Sequence, residues 1–138
     1  RLNDSYGHEV GDQGLRMIAA SLAEPSCGGT LYRYGGEEFV LLFPHCKLDE
    51  ILDTLENARE LISNAIFFLR PKKNAQTMTG SPYLASIKIT LSVGVTQKRD
   101  GQSYDDVINI ADQALYKAKQ TGRNKTVYNK DGRYYELF

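Results

Sequence analysis

The apolar positions of this chain follow helical spacing in three segments, and each segment predicts a helix. In residues 10–24 they lie on one helix face and are Leu15, Ile18, Ala19 and Leu22. Pro25 and the glycines after it end this first helix. A second helix begins at Asp49, a residue that can cap a helix N-terminus. Its apolar stripe is wide and contains Ile51, Leu52, Leu55, Ala58, Leu61, Ile62, Ala65 and Ile66.

The third helix is predicted to begin at Ser103, because Asp106 follows at the spacing of a capping box. Gly122 suits the left-handed residue that commonly ends a helix. The spacing of its apolar residues predicts a buried face that contains Val107, Ile110, Ala111, Ala114, Leu115 and Ala118.

Segments of alternating character predict the strands. Residues 31–34 and 39–43 lie on either side of Gly35-Gly36, and two such segments joined by a glycine pair are typical of a β-hairpin. A second hairpin is predicted around the Asn-Lys-Asp-Gly segment of residues 129–132. Residues 83–96 are rich in β-branched side chains and predict one further strand.

Residues 70–82 are polar and contain two prolines and a glycine, which predicts a long loop. Strands that alternate with amphipathic helices are typical of an α/β fold or an α+β sandwich. We therefore predict one domain over residues 1–138, in which helices pack on a mixed β-sheet.

Composition narrows the function classes. The chain has 138 residues and a formal net charge of zero, so no overall field attracts it to nucleic acid or to anionic lipid. Cys27 and Cys46 lack metal-type spacing and are expected to be reduced thiols of a cytoplasmic protein. No apolar run approaches the roughly 20 residues of a membrane span. The sequence starts at Arg1 rather than Met, so we predict a longer parent protein, which an upstream segment could anchor to a membrane.

The first hairpin carries the candidate chemistry. Its tip holds Glu37 and Glu38 beside two glycines, whose backbone a bulky ligand can approach closely. Carboxylates beside bare backbone can hold a hard cation and the phosphates bound to it. An ordinary tight turn with solvated charges is the alternative.

Four segments together resemble the GGDEF family of diguanylate cyclases. They are residues 3–12 (NDSYGHEVGD), 35–39 (GGEEF), 90–95 (TLSVGV) and 112–124 (DQALYKAKQTGRN). The resemblance implies a palm-like nucleotide cyclase fold, with a central mixed sheet flanked by helices and the GGEEF hairpin over the active site. It also implies an enzyme that condenses two GTP into cyclic di-GMP as a homodimer, with Mg²⁺ or Mn²⁺, under an upstream sensory domain.

The resemblance assigns roles to the tip of the hairpin. Gly35 and Gly36 would lie against the GTP phosphates, where a side chain would collide. Glu37 would be a metal ligand, since a carboxylate oxygen is the hard donor that Mg²⁺ prefers. Glu38 would lie near the attacking ribose hydroxyl or the metals. Which carboxylate or water accepts the proton stays open.

The resemblance also assigns substrate contacts outside the hairpin. Asn3 and Asp12 match the guanine-binding pair, and an ionised aspartate accepts from the N1–H and N2–H₂ donors of guanine. Asp12 could instead cap the following helix. His8 belongs to a Gly-His element and is expected to bond backbone near the guanine. Lys119 and Arg123 match phosphate-binding cations near the end of the last helix, and they share one face while the helix persists. Cations at a helix C-terminus also complement its dipole.

The chain departs from the family pattern in two places. It starts after the strand whose Asp completes the family's metal site, so we expect residues 1–138 to lack that first strand. Residues 26–29 read Ser-Cys-Gly-Gly where many members have an Arg-x-x-Asp site for inhibitory cyclic di-GMP, so no feedback inhibition is expected there. The alternative functions are an inactive module that binds GTP or cyclic di-GMP and signals by contact and, more remotely, another palm-type nucleotidyl transferase.

Overall fold

The computed structural model of this chain describes residues 29–69 and 85–137, together with Arg16. The predicted first helix lies outside the described residues except for Arg16, which is helical. The predicted loop of residues 70–82 also lies outside them. We number the described helices and strands in chain order.

The first predicted hairpin is confirmed. Strand β1 (Thr30–Gly35) pairs antiparallel with β2 (Glu38–Leu42), and the register shifts between Arg33 and Gly35. Gly36 has a φ of +42°, the left-handed conformation that a glycine adopts without strain. The Arg33 guanidinium donates to the Gly36 carbonyl at 3.0 Å, which closes the tip from one side.

Helix α1 spans Leu48–Asn64, and Lys47 is its N-cap residue. The prediction that Asp49 caps this helix is wrong, because Asp49 lies within the first turn, where its charge complements the helix dipole. The Lys47 N–H donates instead to the Glu50 carboxylate at 3.5 Å. The buried face of the helix contains Leu52, Leu55 and Ile62.

The apolar stripe predicted for α1 is too long at its end. The helix stops at Asn64, and Ala65 is already extended. Ile66 is 55% exposed, so it does not continue the buried face. The chain continues there into β3 (Phe67–Leu69). This strand was not predicted, because it directly follows the helical spacing of residues 51–66.

The prediction of a single strand over residues 83–96 is also wrong. Its two ends form separate strands, β4 (Ala85–Ile87) and β5 (Val93–Val95). They separate because they pair with different partners: β4 lies antiparallel to β3, whereas β5 lies parallel to a strand near the C-terminus.

Helix α2 spans Tyr104–Gln120 and begins as predicted. The Ser103 hydroxyl accepts from the Asp106 N–H at 3.1 Å, and the Ser103 N–H donates to the Asp106 carboxylate at 3.0 Å. Ala114 and Ala118 are fully buried, in agreement with the predicted face. The alanines allow the helix to approach the sheet closely.

The second predicted hairpin is confirmed as β6 (Thr126–Lys130) and β7 (Arg133–Glu136), joined by Asp131 and Gly132 at positive φ. The described strands form three sheets, and the sheet β5-β6-β7 is mixed, with a parallel and an antiparallel pair. Helix α2 packs on this sheet through Ala114 and Ala118, which cluster with Val127 of β6.

Helix α1 joins the two hairpins to the same core. Its Leu52 and Leu55 cluster with Val95 of β5, and partly buried Leu41 and Phe43 from the first hairpin pack against that cluster. The first hairpin is therefore attached to the core by its base, while its tip faces outward. The predicted mixed α/β fold class is confirmed by the described helices and sheets.

Candidate functional site

The tip of the first hairpin is open backbone beside two carboxylates. A Cβ built at Gly35 or at Gly36 would meet nothing within 4 Å. Glu37 is exposed and Glu38 is half-buried. The glycines thus leave room for a ligand directly against the main chain, as the sequence predicted for a phosphate-binding turn.

A cation from the far end of the chain lies at this tip. Lys119 Nζ, on the last turn of α2, lies 3.3 Å from Glu38 Oε1. The two side chains remain 36% and 42% exposed, so this ion pair contributes little to stability. Its importance is positional, because it brings together Glu38 and Lys119, two site residues predicted from separate motifs.

Arg123 lies beyond the end of the helix that carries Lys119. The predicted shared face holds only while the helix persists, and α2 ends at Gln120, with Gly122 at a φ of +120°. The Arg123 N–H donates to the Ala118 carbonyl at 2.9 Å, the six-to-one bond of a Schellman motif. Arg123 is exposed on the loop that follows the helix.

The remaining predicted substrate contacts were not located. Asn3, His8 and Asp12 lie outside the described residues, as do residues 26–28, where the inhibitory site of many relatives would be. Their roles stay predictions.

Sequence reasoning missed a polar network between α1 and the loop after α2. Arg59 Nε donates to both oxygens of the Glu56 carboxylate, at 3.0 and 3.1 Å. Arg59 Nη1 donates to the Asn124 carbonyl at 3.2 Å and to Asn124 Oδ1 at 2.7 Å. The hydroxyl of Thr126, which is fully buried, donates to Glu56 Oε2 at 2.8 Å. The only local signal was an acid and a base three residues apart on one helix, a common surface pair.

The network fixes the charges of its members. Hydrogen bonding from Arg59 lowers the pKa of Glu56, burial opposes that shift, and the Thr126 hydroxyl adds to it. The hydrogen bond to Glu56 likewise raises the pKa of Arg59 against the effect of burial. Both groups are therefore held in their charged forms, with side chains only 15% and 12% exposed.

Stability should depend on pH through Glu56. Its pKa in the folded protein lies below the ordinary value of 4.5, so its stabilising effect is complete above that value and is lost as the pH falls through the lower folded pKa. We expect Glu56→Gln to lower the free energy of unfolding by about 2 kcal/mol at pH 7, and by progressively less below pH 4.5. Urea denaturation of both proteins from pH 7 to pH 3 measures this difference.

Glu60→Gln is the matched control, because Glu60 is on the same helix but is 61% exposed and lies 3.9 Å from the Arg59 guanidinium. Its effect should be small at every pH. An effect of Glu56→Gln that stays constant down to pH 3 would contradict the role of its charge.

The described residues fit a divalent cation only as one part of its ligand set. Glu37 offers an exposed carboxylate beside the open backbone of the tip. Among the described residues no three acidic, His or Cys side chains form a metal cluster. Mg²⁺ commonly binds one or two carboxylates together with substrate phosphates and water, so the donor at the tip is of the right kind.

Comparison with known proteins assigns a family to this arrangement. A family model described as "Diguanylate cyclase, GGDEF domain" matches residues 1–125. Diguanylate cyclase VdcA of Vibrio cholerae is 41% identical over 128 residues, which cover 91% of this chain and 34% of that protein. Diguanylate cyclase DgcM of Escherichia coli is 35% identical, over 91% of this chain and 27% of its own length. The chain thus spans about a third or less of these relatives.

Solved structures resemble it over nearly its whole length. The GGDEF domain of DgcB from Caulobacter crescentus, in complex with c-di-GMP, superposes with a TM-score of 0.71 at 33% identity, over 92% of this chain and 69% of that one. Diguanylate cyclase SiaD from Pseudomonas aeruginosa, in complex with its activator SiaC, gives 0.73 at 36% identity, over 93% of this chain and 45% of that one. The predicted palm-like cyclase fold is confirmed. Neither described helix is long and apolar enough to cross a bilayer.

Proposed function

This chain belongs to the GGDEF family of diguanylate cyclases, and we propose that it condenses two GTP molecules into cyclic di-GMP and releases pyrophosphate. The observation that carries the proposal is the 3.3 Å ion pair of Glu38 and Lys119, which joins two signature segments beside the bare backbone of Gly35 and Gly36. A turn with merely solvated charges would have no need of a cation 81 residues away in sequence.

The phosphates of GTP are proposed to lie against Gly35 and Gly36. Lys119 and Arg123 contact their oxygens, the former as a point charge and the latter with the planar fork suited to two oxygens. The incoming phosphate then replaces Glu38 as a partner of Lys119. Guanine is proposed to be held by Asn3 and Asp12, whose carboxylate accepts from the donors on its Watson–Crick edge, with His8 bonded to backbone nearby.

The reaction joins the 3′-hydroxyl oxygen of one GTP to the α-phosphorus of the other, and the bond from that phosphorus to the β-phosphate bridge breaks. Glu37 is proposed to hold Mg²⁺ or Mn²⁺, which when bound neutralises charge that develops on the phosphate oxygens. Glu38 is proposed to lie near the attacking hydroxyl or the metals, and the proton leaves to a carboxylate or to water. Repeating the step in the opposite sense closes the ring.

Two sites must face each other for this chemistry, so the active form is proposed to be a homodimer with two-fold symmetry. Each protomer contributes one GTP. Dimerisation is then the natural point of control, and an upstream sensory domain in the full-length protein is the proposed partner that sets it. Cytoplasmic location follows from the supply of GTP and stays a proposal.

Incubation of the full-length protein with GTP and Mg²⁺ tests this function. We expect a product with the mass of cyclic di-GMP, together with pyrophosphate, and no corresponding product from ATP. Chromatography with mass spectrometry identifies both. GTP that binds but is never converted would overturn the cyclase in favour of an inactive binding module.

A further inference from the structure

The loop after α2 has an unusual backbone. Gly122, Arg123 and Asn124 have φ values of +120°, +62° and +47° in succession. Most non-glycine residues in this region cost roughly 1–2 kcal/mol and persist only where the surroundings hold them, and Asn adopts it more readily, so the cost falls mainly on Arg123. The proposed phosphate ligand Arg123 thus belongs to a segment that requires external support.

One support comes from within the loop. The Arg123 N–H bonds the Ala118 carbonyl at 2.9 Å, and the Lys125 ammonium donates to the Thr121 carbonyl. These bonds close the end of α2. They leave the conformation of Asn124, the last residue of the strained segment, to be held by another element.

That element is α1, through the Arg59 guanidinium. Arg59 Nη1 binds Asn124 at two points, the carbonyl at 3.2 Å and Oδ1 at 2.7 Å. Because the Arg59 guanidinium binds both the main-chain and the side-chain oxygen of Asn124, it fixes the orientation of that peptide as well as its position. The Arg59 side chain is only 12% exposed, whereas Asn124 is exposed to solvent.

Arg59 is itself immobilised. Glu56 accepts from its Nε at 3.0 and 3.1 Å, and Glu56 is in turn bound by the buried hydroxyl of Thr126 at 2.8 Å. Thr126 is the first residue of β6, immediately beyond the loop. Helix α1 therefore contacts the loop at two points. Arg59 holds Asn124, and its ion-pair partner Glu56 holds Thr126 at the end of the loop.

We propose that Arg59 is a positioning residue of the phosphate site, which holds the backbone at Asn124 so that the adjacent Arg123 is presented to the nucleotide phosphates. The inference rests on the proposed function. Arg59 itself contacts no substrate. Without it the left-handed segment relaxes, and Arg123 loses the fixed origin from which its side chain reaches the ligand.

A double-mutant cycle in the full-length protein tests the proposal. Arg59→Lys keeps the positive charge but lacks the fork that reaches Glu56 and Asn124 together. We expect it to raise the KM for GTP about tenfold, the value of one charge-assisted hydrogen bond, with a smaller change in kcat. In an Arg123→Ala background the same substitution should change KM by less than about twofold, because coupled residues are not additive. Equal effects in both backgrounds would overturn the proposal.

Arg99→Lys is the matched control, since Arg99 lies on the loop after β5, pairs with Asp131 of the second hairpin and has a side chain that is 59% exposed. It should leave KM unchanged. If Arg59→Lys unfolds, Asn124→Ala replaces it, because alanine removes the Oδ1 acceptor without relieving the left-handed backbone as glycine would. The same loss of effect in the Arg123→Ala background is expected, and additivity again overturns the proposal.

Amide hydrogen exchange separates this inference from the cyclase assignment. Arg59→Lys should speed exchange at residues 122–124 without nucleotide present, while exchange in the buried strand β6 stays slow. Unchanged exchange in the loop overturns the positioning role even in an active cyclase. A wild-type protein that binds no GTP would instead refute the proposed function. The positioning of a phosphate ligand by Arg59 would then be refuted too, whatever exchange rate residues 122–124 show.

Discussion

Substitution of Glu37 with alanine is expected to lower kcat for cyclic di-GMP formation about a thousandfold, the scale of losing a group that stabilises charge developing in the transition state. The proposed role of Glu37 is to hold the divalent cation on the substrate phosphates. Because Glu37 is exposed at the tip, its loss should change the free energy of unfolding by less than about 0.5 kcal/mol. Initial rates of pyrophosphate release and thermal denaturation measure the two effects.

Two further variants separate charge from position. Glu37→Gln keeps the shape of the side chain without its charge, and it should be nearly as inactive as Glu37→Ala. Asp131→Asn is the matched control, because Asp131 is an exposed acid at the turn of the second hairpin. Its rate should stay within about twofold of wild type, as for a surface substitution away from the site. A Glu37→Gln protein that retains a tenth of the activity would contradict the metal-binding role.

Local signals predicted the elements that local chemistry determines. The glycine pair placed the first hairpin, and Ser103 with Asp106 placed the start of α2, because these residues act on neighbours within a few positions. The predicted start of α1 was wrong by two residues. Asp49 was the expected cap, but the N-cap is Lys47, and Asp49 lies in the first turn.

Elements that depend on distant partners were not predictable in this way. Strand β3 continues an apolar helical pattern, and only its pairing with β4 makes it a strand. Residues 83–96 divide because β4 and β5 find different partners. Neither pairing can be recognised in the local sequence, because the partner of a strand depends on the whole fold rather than on the segment itself.

The contacts of the candidate site also depend on partners that are distant in sequence. The resemblance to a family put Glu38 and Lys119 in one site, and the ion pair joins them across 81 residues. Arg59 had no such assignment. It lies 65 residues from Asn124 in sequence, and beside Glu56 it looked like half of a solvated helix pair. Its contacts appear only in the folded chain, where Arg59 binds Asn124 and Glu56 binds the buried hydroxyl of Thr126.

Gly94 is the position where a single methyl group is expected to damage the fold most. A Cβ there would lie 2.9 Å from Leu115 Cα, and closer still to the Ala111 carbonyl oxygen and the Leu115 amide nitrogen. These are backbone atoms of α2, which cannot rotate away as a side chain could. Relief would require α2 to move off the sheet, which opens the packing of Ala114 and Ala118 on Val127, or β5 to shift from β6.

Gly94→Ala should therefore lower the free energy of unfolding by about 3 kcal/mol or more, the upper range for overpacking. That is a large part of the roughly 5–15 kcal/mol that stabilises a typical domain, and it corresponds to a fall in Tm of about 10 °C. Gly35→Ala is the matched control, since its Cβ meets nothing within 4 Å. It should leave Tm unchanged while weakening GTP binding at the tip. A Gly94→Ala protein that melts within about 2 °C of wild type would have lost less than 1 kcal/mol of stability. That result would show that α2 and the sheet are not in close contact. Lys119, on the last turn of α2, depends on that contact for its place at the tip.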